Sequence, residues 1–219
     1  MAITIDRMAN SRQDAIDTAE RLFRAQGYAG TGLAQILEES GSPKGSFYFN
    51  FPGGKHELAL EALKLYGERL DTKIRDAAAA HGEDPVGFVR YICSKMAREL
   101  EASGWTASCL AHQLGNELAP ADTQITAAIS SITQTWIASM AVVMQRVAHS
   151  REEARMLATG FLAALSGARS MARIVGSKVP FDSVAETMSE TLKAADARRN
   201  LKPGRPRSAR LKGGRVLTH

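Results

Sequence analysis

The stretch "EESGSPKGSFYFNFPGGKHE", residues 38–57, limits the folds open to this chain more than any other. It packs two prolines, four glycines and four aromatics into twenty positions. Each glycine costs a helix interior roughly 1 kcal/mol relative to alanine, so no single long helix runs through it. A solvated linker, in turn, has no use for four aromatics, whose large apolar surfaces favour burial. The stretch therefore reads as short helices with anchored roots. Gly41 closes one helix, and Ser42 caps the next, with Pro43 at the first helical position where a missing N–H costs nothing. Pro52, Gly53 and Gly54 interrupt again. The helix over residues 42–50 is barely two turns long and must be held by its neighbours.

Upstream, residues 11–26 place Ala15, Ile16, Ala19, Leu22 and Phe23 at helical spacing, stopped by Gly27. Thr31 is the expected N-cap of a second short helix through Ile36 and Leu37. Three short helices, with a glycine-containing break between the second and third, have the layout of a helix-turn-helix unit. Its third helix would set its N-terminal end against DNA, where free N–H groups favour phosphate and small residues allow close approach to base edges. Lys44 is basic there, Gly45 and Ser46 are small, and Tyr48 carries a hydroxyl suited to a phosphate. Phe47 and Phe51 are the expected anchors, facing Leu33 and Ile36. Lys55 is a second candidate phosphate clamp.

Downstream the spacing is helical throughout, with no strand candidate longer than a few residues, and the expected fold class is all-α with about nine helices. A long helix carries Leu63, Tyr66, Leu70, Ile74 and Ala77 to His81 and Gly82. Further helices are expected over residues 85–100, 106–117 and 122–149, from the capping-box pair Ser150 and Glu153 to Gly176, and from about Asp182 onward. Residues 123–145 carry no charge but ten Ser, Thr or Gln side chains. That is too polar for a lipid-facing span, so no membrane partner is expected. Such a helix is expected to be surrounded by protein or to line a pocket.

"LF…GY…T" followed by "ILEESGSPKGSFYFNFPGGK" resembles the DNA-binding head of the TetR family of bacterial transcriptional regulators, over about fifty residues. "FPGGK" resembles its LmrA/YxaF-like branch. This chain has Asn50 where many members carry His. The resemblance implies a DNA-binding domain over residues 1–54, with contacts at Thr31, Gly32, Ser42, Pro43, Lys44, Gly45, Ser46, Tyr48, Phe49, Asn50 and Lys55. It implies a ligand-binding and dimerisation domain over residues 55–197, whose last two long helices pair with a second chain through Phe161, Leu165, Ala168, Val184, Met188 and Leu192. Trp105, Cys109, His112, Gln113, Trp136, Met140 and Met144 are candidate pocket liners, because aromatic, Met and scattered polar groups suit an apolar ligand. The implied protein is a cytoplasmic homodimeric repressor, released from a palindromic double-stranded DNA operator by a small-molecule effector. An activator of the same fold, a ligand-independent architectural DNA-binding protein, and a carrier or enzyme with a vestigial head are the alternatives.

Charge adds one asymmetry. The chain is +5 overall, but residues 198–219 hold eight Arg or Lys and no acid, leaving 20 bases against 23 acids in the other 197 residues. The folded body is therefore not itself basic. The tail is Pro/Gly-rich without periodicity and is expected to be disordered. Its "PGRPR" resembles an AT-hook, with a merely solvated basic tail as the alternative. Cys93 and Cys109 make no disulfide framework. Cys109-x-x-His112 offers only two ligands, so no metal and no cofactor is expected. No nucleophile elbow or phosphate loop points to an enzyme.

Overall fold

The computed structural model describes residues 2–201, with side chains from Ser11 onward. Among the described residues the chain forms nine α-helices and no strand. Helix α1 spans Ala2–Gln26, starting well before the expected position 11, and stops at Gly27, whose φ of 85° only glycine adopts freely. Helix α2 (Leu33–Ser40) ends at Gly41 with φ 64°. The Gly41 and Ser42 N–H groups donate to the carbonyls of Glu38 and Leu37, satisfying the last turn.

Two expected caps lie elsewhere. Gly32, not Thr31, is the N-cap of α2, because the buried Thr31 hydroxyl donates back to the Gly27 carbonyl at 2.6 Å. Helix α3 (Lys44–Asn50) has Pro43 as its N-cap rather than its first residue. The Ser42 hydroxyl instead donates to the Ser11 carbonyl at 3.2 Å, tying the turn to α1.

Helix α4 (Gly54–His81) is the spine of the molecule, and α7 (Thr123–Met144) lies along it. Their closest approach is at Gly67, where an added Cβ would sit 2.8 Å from Ile132, so only glycine fits. Beside it the Trp136 indole N–H donates to the Gly67 carbonyl at 3.0 Å. Helix α5 (Pro85–Ala102) begins as expected: Asp84 accepts from the Gly87 N–H at 2.9 Å. Helix α6 (Leu110–Leu118) starts later than the expected 106, because Gly104 and Trp105 both turn left-handed, at φ 62° and 63°. Helix α8 (Arg151–Val175) opens with the Ser150 hydroxyl accepting from the Glu153 N–H at 3.1 Å, and α9 runs Val179–Asn200. Helix α9 packs on α5 and α8, and α8 on α7.

Helix α7 is not surrounded by protein on every side, but it does line a groove against α4, through Ala128, Ser131, Ile132 and Thr135. Its inner stripe, with Ile125, Trp136, Met140 and Val143, is buried, but Ser130, Gln134, Ala138 and Val142 face solvent. Being uncharged did not bring cover on every side within one chain, because α7 lies at the rim of the bundle, against α4 and α8. Its length and composition alone would let it cross a membrane, but the buried stripe is the bundle core. Residues 198–200 belong to α9, with Leu201 as its C-cap, rather than to a disordered tail, and residues 202–219 of the expected tail lie outside the described residues.

Candidate functional site

Helix α3 is held from within by its aromatics. Phe47 and Phe51 are fully buried, their ring centroids 5.2 Å apart, in one core with Ile16, Phe23 and Ile36. The Arg12 guanidinium lies 5.4 Å from the Phe51 ring centroid and pairs with Glu61 at 2.7 Å. Burying each Phe is worth roughly 1.5–3 kcal/mol, more than a two-turn helix needs to stay in place. With those roots inside, α3 turns Lys44, Gly45, Tyr48 and Phe49 outward. Phe49 is 72% exposed and Tyr48 43%. A Cβ added at Gly45 would touch nothing in the chain, so the packing of this protein does not require that glycine. Lys44 makes no ion pair among the described residues.

The other expected DNA contacts divide. Gly32 and Pro43 are exposed, and Ser46 and Asn50 are half-buried. Thr31 and Ser42 are buried, and their hydroxyls brace the backbone. Lys55 is not a free clamp. Its ammonium donates to the carbonyls of Tyr28 and Thr31, each at 3.0 Å, and sits 4.0 Å from the Tyr28 ring centroid. It pins the loop before α2.

Sequence reasoning missed the contacts joining this head to the rest. Glu117, on α6, accepts from the N–H groups of Tyr28 and Ala29 at 2.9 and 2.7 Å, capping the end of α1. Burial alone would raise its carboxyl, but those two amides, Gln113 and Lys55 together hold it below the usual carboxylate range. Ser108 and Arg24 grip each other: the Arg24 Nε donates to the Ser108 carbonyl at 2.8 Å, and the Ser108 hydroxyl to the Arg24 carbonyl at 2.7 Å. Within the larger part, His56 and Asp122 likewise meet at 2.6 Å between α4 and the start of α7. No local pattern announces such pairs, since 66 to 89 residues separate the partners.

The candidate pocket liners do not gather around one opening. Trp136, Met140 and Met144 are core residues of α7, His112 is exposed, and Gln113 reaches across to Glu117 at 2.8 Å. Trp105 and Cys109 are half-buried at the two ends of the loop before α6. A groove of about 500 Å³ instead runs between α4 and α7, lined by Glu61, Lys64, Glu68, Asp71 and Arg75 among others. Leu60, Ala128 and Ile132 line it as well, so apolar and charged groups meet there. A separate polar cluster lies inside the bundle, where Tyr66 of α4 meets Cys109 and Arg169. Burial, then Cys109, push the Tyr66 hydroxyl upward, against the pull of Arg169 and Arg24.

The candidate interface residues face inward. Phe161, Leu165, Ala168, Met188 and Leu192 are buried within the single chain, and Val184 is half-buried. The large side chains of the α8 stripe fill the chain's own core. The opposite face, with Met156, Gly160, Ala163, Gly167, Met171 and Ile174, is exposed, and Ile174 reaches 84%.

Comparison with known proteins agrees with this layout. Residues 15–62 match the bacterial regulatory proteins of the tetR family, and residues 85–187 match the C-terminal domain of LmrA/YxaF-like transcriptional regulators. The chain is 31% identical over 177 residues to the uncharacterized HTH-type transcriptional regulator YxaF of Bacillus subtilis, covering 81% of this chain and 92% of YxaF. It is 46% identical over 83 residues to the regulator LmrA of the same organism, covering 38% of this chain and 44% of LmrA. The fold is similar to that of the regulatory protein TetR from Rhodobacter sphaeroides, with a TM-score of 0.74 at 22% identity over 82% of this chain and 97% of that one. Reduced Escherichia coli NemR is similar at a TM-score of 0.71 and 20% identity, over 82% and 96%. With a head built to offer α3 to DNA and a relative matched over most of both chains, this protein belongs to the TetR family of DNA-binding transcriptional regulators, in its LmrA/YxaF-like branch.

Proposed function

We propose that this regulator is a cytoplasmic homodimeric repressor, whose head over residues 1–54 leaves a palindromic operator when a small, largely apolar molecule binds the domain over residues 55–197. The single observation carrying this reading is the exposed strip of α8. Met156, Gly160, Ala163, Gly167, Met171 and Ile174 recur at spacings of three or four, and all are exposed. Three small residues in the middle of the strip, flanked by methionines and isoleucine, let two helix axes come close, and a Cβ added at Gly160 or Gly167 meets nothing in the chain. A second copy covers such a strip through a two-fold axis, which sets two α3 tips on successive major-groove faces and makes the operator palindromic.

Release is then linkage. A ligand preferring the head spacing that misses the operator weakens DNA binding by the same factor, about 5–150-fold for a coupling of roughly 1–3 kcal/mol. The Arg24–Ser108 and Tyr28–Glu117 contacts are the material link between the two parts. The test joins footprinting on the DNA upstream of the protein's own gene to sedimentation of the wild type and Gly167→Glu. The expected outcome is a symmetric footprint from a dimer, and a monomeric variant without it. A wild-type monomer protecting one half-site would refute the reading.

A further inference from the structure

Arg169 is the least satisfied charged group in the described structure. It projects from α8 into the bundle, is only 6% exposed, and has no carboxylate within salt-bridge distance among the described residues. Its five N–H donors find one hydrogen bond, at 3.3 Å, to the neutral carbonyl of Ala107, and its buried Nε has no partner. Four residues on, and so on the same face of α8, the Nε of Arg173 is likewise buried and unpartnered. A buried, unpaired guanidinium costs folding free energy, and an apolar residue of similar size is often better for stability. A chain that keeps one such group, in line with a second, half-buried arginine, uses it for something outside itself.

The surroundings say what. Tyr66 and Cys109 lie beside Arg169, and Trp136 packs edge-on against Tyr66 at 6.2 Å. Partial desolvation, then the Arg169 charge, hold His112 below its ordinary value. The region is aromatic, with the Arg24 guanidinium 5.4 Å from the Tyr66 ring centroid and already paired with Glu20 and Ser108, and with the Arg169 fork left to answer a carboxylate carried on an apolar, ring-sized body. The acceptor that Arg169 now holds matters equally. Ala107 precedes Ser108, and Ser108 is gripped by Arg24 of α1. One short loop is thus held from the bundle by Arg169 and from the head by Arg24.

We propose that Arg169, supported by Arg173, anchors the carboxylate of an aromatic effector, and that capturing it draws Arg169 off Ala107 and loosens the loop that fixes α1 of the head. This rests on the ligand-release reading above and names its site and ligand class. A stronger, charged acceptor replaces a weak neutral one, so the exchange is favourable at Arg169. The cost falls on the Ser108–Arg24 grip, which is what release of DNA requires.

The experiment uses the full-length chain with 2-naphthoate as probe and 2-naphthamide as its uncharged counterpart. Each is tested by thermal unfolding and by operator gel shift, in the wild type, Arg169→Met and Arg169→Lys. The expected result is a wild-type Tm raised by about 2 °C or more with saturating carboxylate and unmoved by the amide. Arg169→Met should fold with an equal or higher Tm in the absence of probe, and lose carboxylate affinity about 10-fold or more. Arg169→Lys should retain part of it. Equal responses to carboxylate and amide, equal responses in wild type and Arg169→Met, or no wild-type response would each overturn the anchor. A chain that binds no operator refutes the regulatory reading instead, while the Tm series still judges Arg169. A chain released by some other molecule equally in wild type and Arg169→Met keeps that reading and refutes this one.

Discussion

The head and the bundle each draw a cationic side chain inward, and they treat it in opposite ways. Lys55 gives its ammonium to two carbonyls and an aromatic face, so its partial burial costs little. Arg169 is more deeply buried and makes one weak bond. A satisfied cation of this kind holds backbone in place, whereas an unsatisfied one is a standing cost that folding alone does not explain. The same contrast runs through both regions. The head hides Phe47 and Phe51 and turns Lys44, Gly45, Tyr48 and Phe49 outward, and the bundle hides a charge and shows an apolar strip.

The largest blow to the head's side of this comparison is Phe47→Ala. Removing that buried ring should cost about 3–5 kcal/mol in urea unfolding and abolish operator binding. A variant with unchanged stability would mean that α3 is not held by its roots. Next in size is the pair that tests the contrast directly. Lys55→Met strands the Tyr28 and Thr31 carbonyls and should cost about 1–3 kcal/mol, while Arg169→Met should leave stability unchanged or raise it by roughly 1 kcal/mol. Equal losses in the two variants would erase the distinction.

Glu117→Gln should cost about 1 kcal/mol at neutral pH, reduced by solvent screening of this exposed carboxylate. The Glu117 carboxyl is held below its ordinary value in the folded chain. Its contribution is therefore complete above the ordinary carboxylate pKa and is lost as pH falls through the lower folded value. The acid limb of the wild-type stability profile should be steeper than that of Glu117→Gln, and superimposable limbs would remove this link between head and bundle. The smallest effects belong to the DNA-facing surface. Tyr48→Phe should weaken operator and non-specific DNA alike by about 0.5–1.5 kcal/mol, through one lost phosphate hydrogen bond. Lys44→Ala should lower the slope of log affinity against log salt by about 1 if Lys44 meets a phosphate, and shift base preference instead if it reads a base.

Much of the fold was legible residue by residue. Gly27, Gly41, Asp84 and Ser150 end or start helices within a residue or two of expectation, because capping is local chemistry. Phe47 and Phe51 are the anchors they were expected to be. The start of α6 was misplaced since its loop is set by Arg24, 84 residues away. Lys55 was misread because a basic residue near a recognition helix invites a phosphate, and nothing in its neighbourhood reveals Tyr28 beneath it. The α8 residues expected at an interface, Phe161, Leu165 and Ala168, lie in the chain's own core. Periodicity shows that the helix has two apolar faces, but which one a chain keeps for itself depends on the shape of the space left by α5, α7 and α9.

Alone, the order of residues determined an all-helical chain, a glycine-broken head and a two-turn α3 with aromatic roots, because caps, breakers and helical spacing act over a few residues. Only the tertiary structure decided which cations are answered and which are not, which face of α8 is left exposed, and that one loop is held by Arg24 and Arg169 together. Those outcomes depend on distances between helices, and pairs like these, scores of residues apart in the chain, carry no local signature.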